Sequence, residues 1–293
     1  LEEGITGHRL KTDQSTEFPQ LLAQKFKERH QLVQFDIAEG AEHKAEAIEI
    51  KRQLPELPLV VKLHTPSFLL ARLFRGKVPL SAKLRYMGGG LVRGKLPRPY
   101  WVYHKKNDPE YQLACMASCL LSPSKSLGQL LASEWELPLQ NIKHLPNLFA
   151  PKPAMLQIPV EEADNGPVTV TFVGKLERRK GIETLVKAAS VFLQQHPRLR
   201  LQLVGAFDHP SPVAGLQMNE YVQRQLASYR DRLSLAGPVS HTELPRYLAS
   251  TGIAVFPSIW ENFPYVCLEA MAAGRAVIGS SAGGMAEMID HGH

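Results

Sequence analysis

The strongest constraint on the fold of this chain is a repeated alternation between short β-prone apolar runs and segments with helical periodicity. The clearest case is Val168–Val173, a strand pattern, followed by a helical pattern over Ile182–Gln195 and a second strand pattern over Leu199–Val204. Strands that alternate with helices in this way form a parallel sheet covered by helices. Further strands are predicted at 233–236, 252–256 and 276–279, with helices over 220–232, 241–249 and 285–289.

The first half of the chain has the same rhythm in a less regular form. Strands are predicted at 5–10, 33–38, 57–63, 119–122 and 141–145, and helices over 18–30, 42–54, 111–117 and 124–133. The segment 146–167 is rich in proline and acidic residues, which is typical of a linker. We therefore predict an α/β chain with a first Rossmann-like domain over 1–150, a linker over 151–167 and a second, doubly wound domain over 168–293.

Composition narrows the class of protein. At 293 residues and 44% hydrophobic content, the chain is long enough for two cores. No apolar run approaches the roughly 18 to 20 residues that cross a bilayer. The three cysteines (Cys115, Cys119 and Cys267) suit neither a metal site nor a disulfide framework, so we expect a cytoplasmic protein. The chain starts at Leu1 and stops at His293 without a closing element, which we interpret as truncation at both ends.

The positive charge is concentrated in one window, 71–106. This window holds ten basic residues and no acidic one, whereas the formal net charge of the whole chain is +6. Its glycines and prolines, including Gly88-Gly89-Gly90, predict that much of it is mobile loop. Basic residues mixed with aromatic ones suit an anionic membrane surface or an acidic substrate, and a solvated loop is the simpler alternative. No nucleic-acid-binding motif accompanies the window, so nucleic acid is not an expected partner.

The segment 257–274 carries the first chemical signal. It follows the predicted buried strand 252–256, and Pro264 suits the first position of the helix that ends at Gly274. Glu261 then lies in the loop before this helix, and Glu269 is the helix's one charged residue. Carboxylates on either side of a helix N-terminus, where an anion is favoured, suggest a phosphate-containing ligand. Compensation of the helix dipole and a solvent-facing glutamate are the alternatives.

Two other strand ends carry candidate groups. Lys175 and Lys180 lie in the loop 174–181, where two cations could clamp a diphosphate; a solvated basic turn is the alternative. His64 follows the predicted strand 57–63, at the end of the strand where open α/β sheets bind ligands. An imidazole there could donate or accept a proton near neutral pH, or be bonded within its own loop.

The motifs of the second half closely resemble the nucleotide-sugar domain of group 1 glycosyltransferases, the large retaining family also called glycosyltransferase family 4. The resemblance covers about residues 168–291, and the two glutamates with seven residues between them are its signature pair. It implies the GT-B fold, in which two Rossmann-like domains face a cleft. The matching residues are Val173-Gly174-Lys175, Lys180-Gly181, Pro257-Ser258, Glu261, Glu269-Ala270-Met271-Ala272, Gly274, Gly283-Gly284 and Glu287, with looser matches at Phe35-Asp36-Ile37, Leu63-His64-Thr65-Pro66, Ser122-Pro123-Ser124 and Pro146-Asn147.

The resemblance implies a role for each candidate. Glu269 would bind the ribose hydroxyls, Lys175 and Lys180 would neutralise the diphosphate, and Glu261 would lie beside the transferred sugar. His64 would reach the reaction centre from the first domain. The family works without a bound metal, so no cofactor is expected, and positive side chains would stabilise the leaving diphosphate. The remaining substrate-binding residues would be Gly174, Asn262, Phe263, Pro264 and Tyr265.

The predicted function is therefore retaining transfer of a sugar, of the hexosyltransferase type, from a nucleotide-diphosphate sugar to a glycan, lipid or small-molecule acceptor. The family's first strand with its glycine-rich turn and its carboxy-terminal helices are not recognisable, in line with truncation. A non-catalytic nucleotide-sugar or membrane-binding module is the alternative, with the window 71–106 as its surface. A nucleotide-sugar 2-epimerase fits less well, because those enzymes lack this combination of lysine loop and glutamate pair.

Overall fold

The computed structural model describes residues 7, 10, 17–75, 79–94, 99, 102–160 and 166–292, and the strand predicted at 5–10 lies largely outside them. The chain divides into two compact units, Leu1–Pro146 and Asn147–His293. Neither unit contains, among these residues, a helix long and apolar enough to cross a membrane.

The first unit is built around a parallel sheet in which β1, β2, β3 and β4 are neighbours in chain order. Leu59, Val61 and Leu63 on and beside the second strand are fully or almost fully buried, so this strand lies at the centre of the core. The elements are α1 (Phe18–Val33), β1 (Ala38–Ala41), α2 (Ile48–Gln53), β2 (Leu59–Lys62), α3 (Ser67–Arg75), α4 (Leu80–Val92), α5 (Pro109–Met116), β3 (Cys119–Ser122), α6 (Lys125–Trp135) and β4 (Ile142–His144).

Two predictions for this unit are wrong. The strand expected at 33–38 begins only at Ala38, because Val33 ends α1 and both Val33 and Ile37 are exposed, whereas Ala38 is buried and pairs with β2. The helix expected over 42–54 is interrupted, since Lys44 and Ala45 have left-handed φ angles of 54° and 51°. Only α2 and a short 3₁₀ turn remain of it.

The buried carboxylate of Glu110 accounts for this interruption. It accepts hydrogen bonds from the backbone N–H of Lys44 (2.9 Å) and from the backbone N–H and hydroxyl of Ser67 (2.7 and 2.6 Å). Unpaired donors at a turn and at the start of a helix would be costly to bury. Because Lys44 and Glu110 are 66 positions apart, the local pattern of the sequence contains no sign of this contact.

The basic window is more helical than expected. Residues 67–75 and 80–92 form α3 and α4, so Gly88, Gly89 and Gly90 lie inside a helix rather than in a loop. Residues of good helix propensity precede the glycines, from Leu80 to Met87, and they carry the helix into a segment that glycine alone would not favour. Residues 76–78, 95–98, 100 and 101 of the window lie outside the described part.

The second unit contains a parallel sheet with the strand order β7-β6-β5-β8-β9. This order is doubly wound, and both faces of the sheet are covered: Phe172 and Leu201 belong to one core cluster, and Phe256 and Cys267 to another. The elements are α7 (Pro153–Leu156), β5 (Val168–Val173), α8 (Ile182–Gln195), β6 (Leu199–Val204), α9 (Met218–Gln225), β7 (Leu233–Ala236), α10 (Leu244–Ala249), β8 (Ile253–Phe256), α11 (Tyr265–Ala272) and β9 (Ala276–Gly279).

The boundary between the units differs from the sequence prediction. It lies after Pro146 rather than at 150, and the expected linker 151–167 contributes α7 to the second unit. Met155 of this short helix is 2% exposed and belongs to the cluster that contains Phe256. The prolines and acids that suggested a linker therefore flank a segment held by one buried apolar side chain. Residues 161–165 are outside the described part.

Candidate functional site

The site lies where the strand order of the second unit reverses. β5 pairs with β8, although α8 and two further strands separate them in the chain, and β6 and β9 lie on their other sides. Open α/β sheets bind ligands at the carboxyl ends of strands at such a switch point. The loops that follow β5 and β8, residues 174–181 and 257–264, meet there, and the backbone N–H of Ile259 donates to the carbonyl of Arg179 at 2.8 Å.

Close approach of the two loops depends on Gly181. Its φ is 75°, and a Cβ built there would overlap the backbone carbonyl of Pro257. A side chain would therefore meet both an unfavourable backbone conformation and a steric clash. Gly181 is the last residue of the sequence motif Lys180-Gly181, so its requirement for glycine is structural.

Glu261 is the centre of a buried ionic network. The residue is 8% exposed, and its Oε1 accepts hydrogen bonds from Lys180 Nζ, from Ser258 Oγ at 3.0 Å and from Arg179 Nη1 at 3.4 Å. Arg179 also donates to Glu177 at 2.8 Å. The structure thus pairs Glu261 with Lys180, two residues for which the resemblance implies separate partners on the substrate.

The backbone of Glu261 connects this network to the loop after β9. The N–H of Gly284 donates to the Glu261 carbonyl at 2.7 Å. Gly283 has a φ of 65°, and a Cβ there would overlap the same carbonyl. The Gly283-Gly284 motif therefore allows a third strand end to pack against the loop that carries Glu261.

Glu269 lies on α11 and has a different environment. Its side chain is 13% exposed, with Oε1 3.6 Å from Nδ1 of His241, while Oε2 is buried and has no hydrogen-bond partner among the described residues. Burial raises the pKa of Glu269, and the nearby His241 opposes this effect. A buried carboxylate oxygen without a donor is costly, so this atom is suited to accept hydrogen bonds from a ligand.

Lys175 is an exposed cation of the loop after β5. Within the described residues its side chain forms no hydrogen bond or ion pair, in contrast to that of Lys180. It follows Gly174, whose φ is 148° and whose carbonyl would be overlapped by a Cβ at Gly205. The ends of β5 and β6 are therefore close together, and Lys175 projects from a tightly packed turn.

The turn before α11 is shaped by its own side chains. Pro264 is the N-cap, with ψ of 108°, so α11 begins at Tyr265 rather than at Pro264 as predicted. Asn262 accepts a hydrogen bond from Trp260 Nε1 at 2.8 Å, and the Tyr265 hydroxyl donates to the Leu148 carbonyl at 3.2 Å. The rings of Phe263 and Tyr265 meet edge to face, with centroids 6.1 Å apart.

His64 belongs to the first unit, just after β2. Its backbone N–H donates to Glu42 Oε2 at 2.7 Å, and its Nδ1 lies 3.0 Å from the same oxygen. The ring is therefore both bonded within its loop and, with its side chain 52% exposed, accessible to solvent. The hydrogen bond within the loop is thus observed, and a role of the exposed ring in proton transfer stays a prediction.

Sequence reasoning missed the partners of the candidates. Arg179, Ser258 and His241 contact Glu261 or Glu269, and Glu42 contacts His64. A usable signal existed for His241 and Glu42, because each follows the carboxyl end of a parallel strand. In the ranges that the structure describes, no three His, Cys, Asp or Glu side chains are grouped so as to hold a metal ion.

Comparison with known proteins shows which family the second unit is similar to. Residues 156–293 match the family model described as glycosyl transferases group 1. An uncharacterised glycosyltransferase of Methanocaldococcus jannaschii is 31% identical over 192 residues, which is 61% of this chain and 46% of that protein. The chain thus spans about half the length of this curated relative.

Solved structures support the fold. Sucrose-phosphate synthase from Thermosynechococcus elongatus superposes with a TM-score of 0.61 at 21% identity, over 96% of this chain and 65% of that one. Anabaena HepE in complex with UDP-glucose gives a TM-score of 0.61 at 20% identity, over 97% and 70%. Residues 156–293 are therefore similar to the group 1 glycosyltransferase family, and the chain shares the α/β fold of these GT-B structures.

Proposed function

We propose that the protein is a retaining glycosyltransferase that takes a sugar from a nucleotide-diphosphate sugar and passes it to a glycan, lipid or small-molecule acceptor. The observation that carries the proposal is the buried Oε2 of Glu269, on the helix after β8, which has no hydrogen-bond partner in the part of the chain that the structure describes. A pair of ribose hydroxyls would supply the donors it lacks. That HepE was solved with UDP-glucose supports a donor of this class.

We assign binding of the diphosphate to the cations of the loop after β5. Lys175 is exposed and unpaired among the described residues, so it can meet a phosphate without breaking a contact. Lys180 and Arg179 contact Glu261, and Arg179 also contacts Glu177, so a phosphate beside them would be the third anion of a network with two cations. Gly174 and the turn from Asn262 to Tyr265 would border the same ligand. These cations would stabilise the leaving diphosphate without a metal ion.

We infer how the anomeric configuration of the sugar is retained from the number of carboxylates at the site. A double displacement requires a nucleophilic carboxylate beside the anomeric carbon and a second acid or base across the scissile bond. Glu261 is the candidate nearest the proposed sugar position, and its Oε1 already accepts from Lys180, Arg179 and Ser258. A second carboxylate for the opposite face of the scissile bond has no candidate among the predicted site residues, so a double displacement lacks one of its two groups. We therefore favour transfer on one face of the sugar, with the departing diphosphate accepting the acceptor's proton.

The purified protein should bind one class of nucleotide sugar from a panel of UDP-, GDP- and ADP-sugars and hydrolyse it slowly in the absence of acceptor. The product formed with an acceptor should keep the anomeric configuration of the donor, which NMR of the anomeric proton would establish. Inversion would exclude the proposed mechanism, and absence of any nucleotide-sugar binding would exclude the proposed activity.

A second function, association with an anionic membrane on its cytoplasmic face, is favoured by α4. The structure buries no side chain of this helix, and Leu80, Leu84, Leu91 and Val92 are all exposed. Its charged side chains, Lys83 and Arg85, are both basic, and so is Arg93, the residue that follows the helix. Exposed leucines beside cations are the composition of a helix that lies in the interface of an anionic bilayer, where a lipid acceptor would also be found.

Replacing Leu84 and Leu91 together by serine should reduce sedimentation with phosphatidylglycerol-containing vesicles about tenfold or more, because each buried leucine contributes roughly 1.5 to 3 kcal/mol. Leu139→Ser is the matched control, since Leu139 is a 50% exposed leucine of the same unit outside α4. Equal loss in the control, or sedimentation that the double substitution leaves unchanged, would contradict a role for α4. Vesicle binding without sugar transfer would instead favour the non-catalytic module.

A further inference from the structure

The carboxyl edge of the first sheet holds a buried carboxylate, Glu42, beside His64, the imidazole that the family resemblance implies at the reaction centre. Glu42 comes directly after β1, and His64 comes two residues after β2, the neighbouring strand. The backbone N–H of Glu42 donates to the carbonyl of Lys62 at 3.1 Å, which continues the ladder between the two strands. The two side chains are therefore placed by paired strands rather than by a loose loop.

The contacts of His64 Nδ1 determine which ring nitrogen carries the proton. Nδ1 lies 3.0 Å from Glu42 Oε2 and 3.1 Å from the carbonyl oxygen of Lys62. Both neighbours are hydrogen-bond acceptors, so Nδ1 must be the donor. In the neutral ring the other nitrogen, Nε2, then has the lone pair, and it belongs to a side chain that is 52% exposed.

We propose that Glu42 is a positioning residue, which holds the His64 ring by Nδ1–H and leaves Nε2 to accept a hydrogen bond from a substrate hydroxyl. The proposal rests on the proposed sugar transfer and adds to it the residue that fixes the tautomer. Glu42 is fully buried, and its Oε2 also accepts from the His64 backbone N–H, so carboxylate, backbone and ring form one rigid unit.

The charges around the ring set the pH above which Nε2 can accept a hydrogen bond, because both nitrogens of the protonated ring are donors. The hydrogen bond to Glu42 raises the pKa of His64 above its usual value, while burial and the charge of Lys62 act in the opposite direction. A raised pKa means that the folded protein holds the proton more tightly than the unfolded chain does. This pair therefore stabilises the fold below the unfolded pKa of about 6.5, and that contribution is lost as the pH rises through the folded value.

The test uses Glu42→Gln and Glu42→Asp in the whole protein. NMR titration of the histidine rings, with His64→Gln to assign the signal, should show the pKa of His64 falling towards its usual value in Glu42→Gln and largely retained in Glu42→Asp. Glu110→Gln is the matched control, because Glu110 is a buried carboxylate of the same unit that also accepts backbone N–H groups. Glu110→Gln should lower the free energy of unfolding without changing the pKa of His64.

Kinetics separate positioning from a structural role. Glu42→Gln should lower kcat about tenfold at neutral pH, and the pH profile of kcat should shift to lower pH with the His64 titration. In a His64→Ala background the same substitution should have no further effect on kcat. An unchanged His64 pKa in Glu42→Gln, or additive losses in the double variant, would overturn the proposal. The titration needs no turnover, so a protein without transferase activity would refute the proposed function and still test Glu42.

Discussion

Glu269→Ala is expected to lower the affinity of the protein for its nucleoside diphosphate about 100-fold, or roughly 2.7 kcal/mol. The loss is large because the buried Oε2 has no donor within the described protein, and a ligand hydroxyl would form a charge-assisted hydrogen bond there. Glu269→Gln keeps one acceptor oxygen but no charge, so an intermediate loss of about tenfold is expected. Isothermal titration calorimetry with UDP, or with the nucleoside diphosphate of the sugar that the panel selects, measures the affinities of both variants.

The pH dependence provides a second readout. Burial raises the pKa of Glu269, so its carboxylate is lost at a higher pH than that of an exposed glutamate. Affinity should therefore fall as the pH is lowered towards the raised pKa, and this part of the pH dependence should disappear in Glu269→Ala. Asp231→Asn, at an exposed acid of the same unit, should leave affinity unchanged. Equal affinities of the wild type and Glu269→Ala would remove the nucleotide assignment.

Lys180→Ala is expected to destabilise the second unit by about 3 kcal/mol, because it leaves a buried carboxylate without its closest cation. The side chains of Lys180 and Glu261 are only 17% and 10% exposed, so solvent cannot replace the ion pair. Arg179 and Ser258 still contact Glu261, which keeps the cost at the lower end of the range for a broken buried pair. Urea unfolding followed by circular dichroism measures the change in free energy.

The double variant Lys180→Ala with Glu261→Gln distinguishes this cause from simple loss of packing. Removing the negative charge removes the need for a cation, so about half of the lost stability should return. Lys175→Ala is the matched control: its exposed side chain should contribute less than about 0.5 kcal/mol to stability, but it should weaken nucleotide binding. A Lys180→Ala protein as stable as the wild type, or a double variant less stable than the single one, would contradict the network.

The sequence determined the architecture of the second unit closely. The bounds of β5, α8 and β6 coincide with their predicted ranges, because the β-prone run of a strand covered on both faces and the apolar stripe of a helix are local properties. It also determined that Lys175, Lys180 and Glu261 share one edge of a sheet, since parallel connections bring all carboxyl ends of strands to the same side. The matching family of residues 156–293 agrees with the motifs quoted from this edge.

Only the tertiary structure decided which of these groups contact one another. Lys180 and Glu261 are 81 positions apart, and their pairing depends on β5 and β8 being neighbours and on a glycine that lets the two loops approach. Contact between Glu42 and His64 likewise depends on the register of β1 against β2. The hydrophobic periodicity of a helix or strand indicates which of its faces is buried. Which side chains contact one another depends on distances between segments that are remote in sequence. The sequence therefore identified the charged groups of the site, and the fold decided that Glu261 is paired with cations while Glu269 keeps an oxygen without a partner among the described residues.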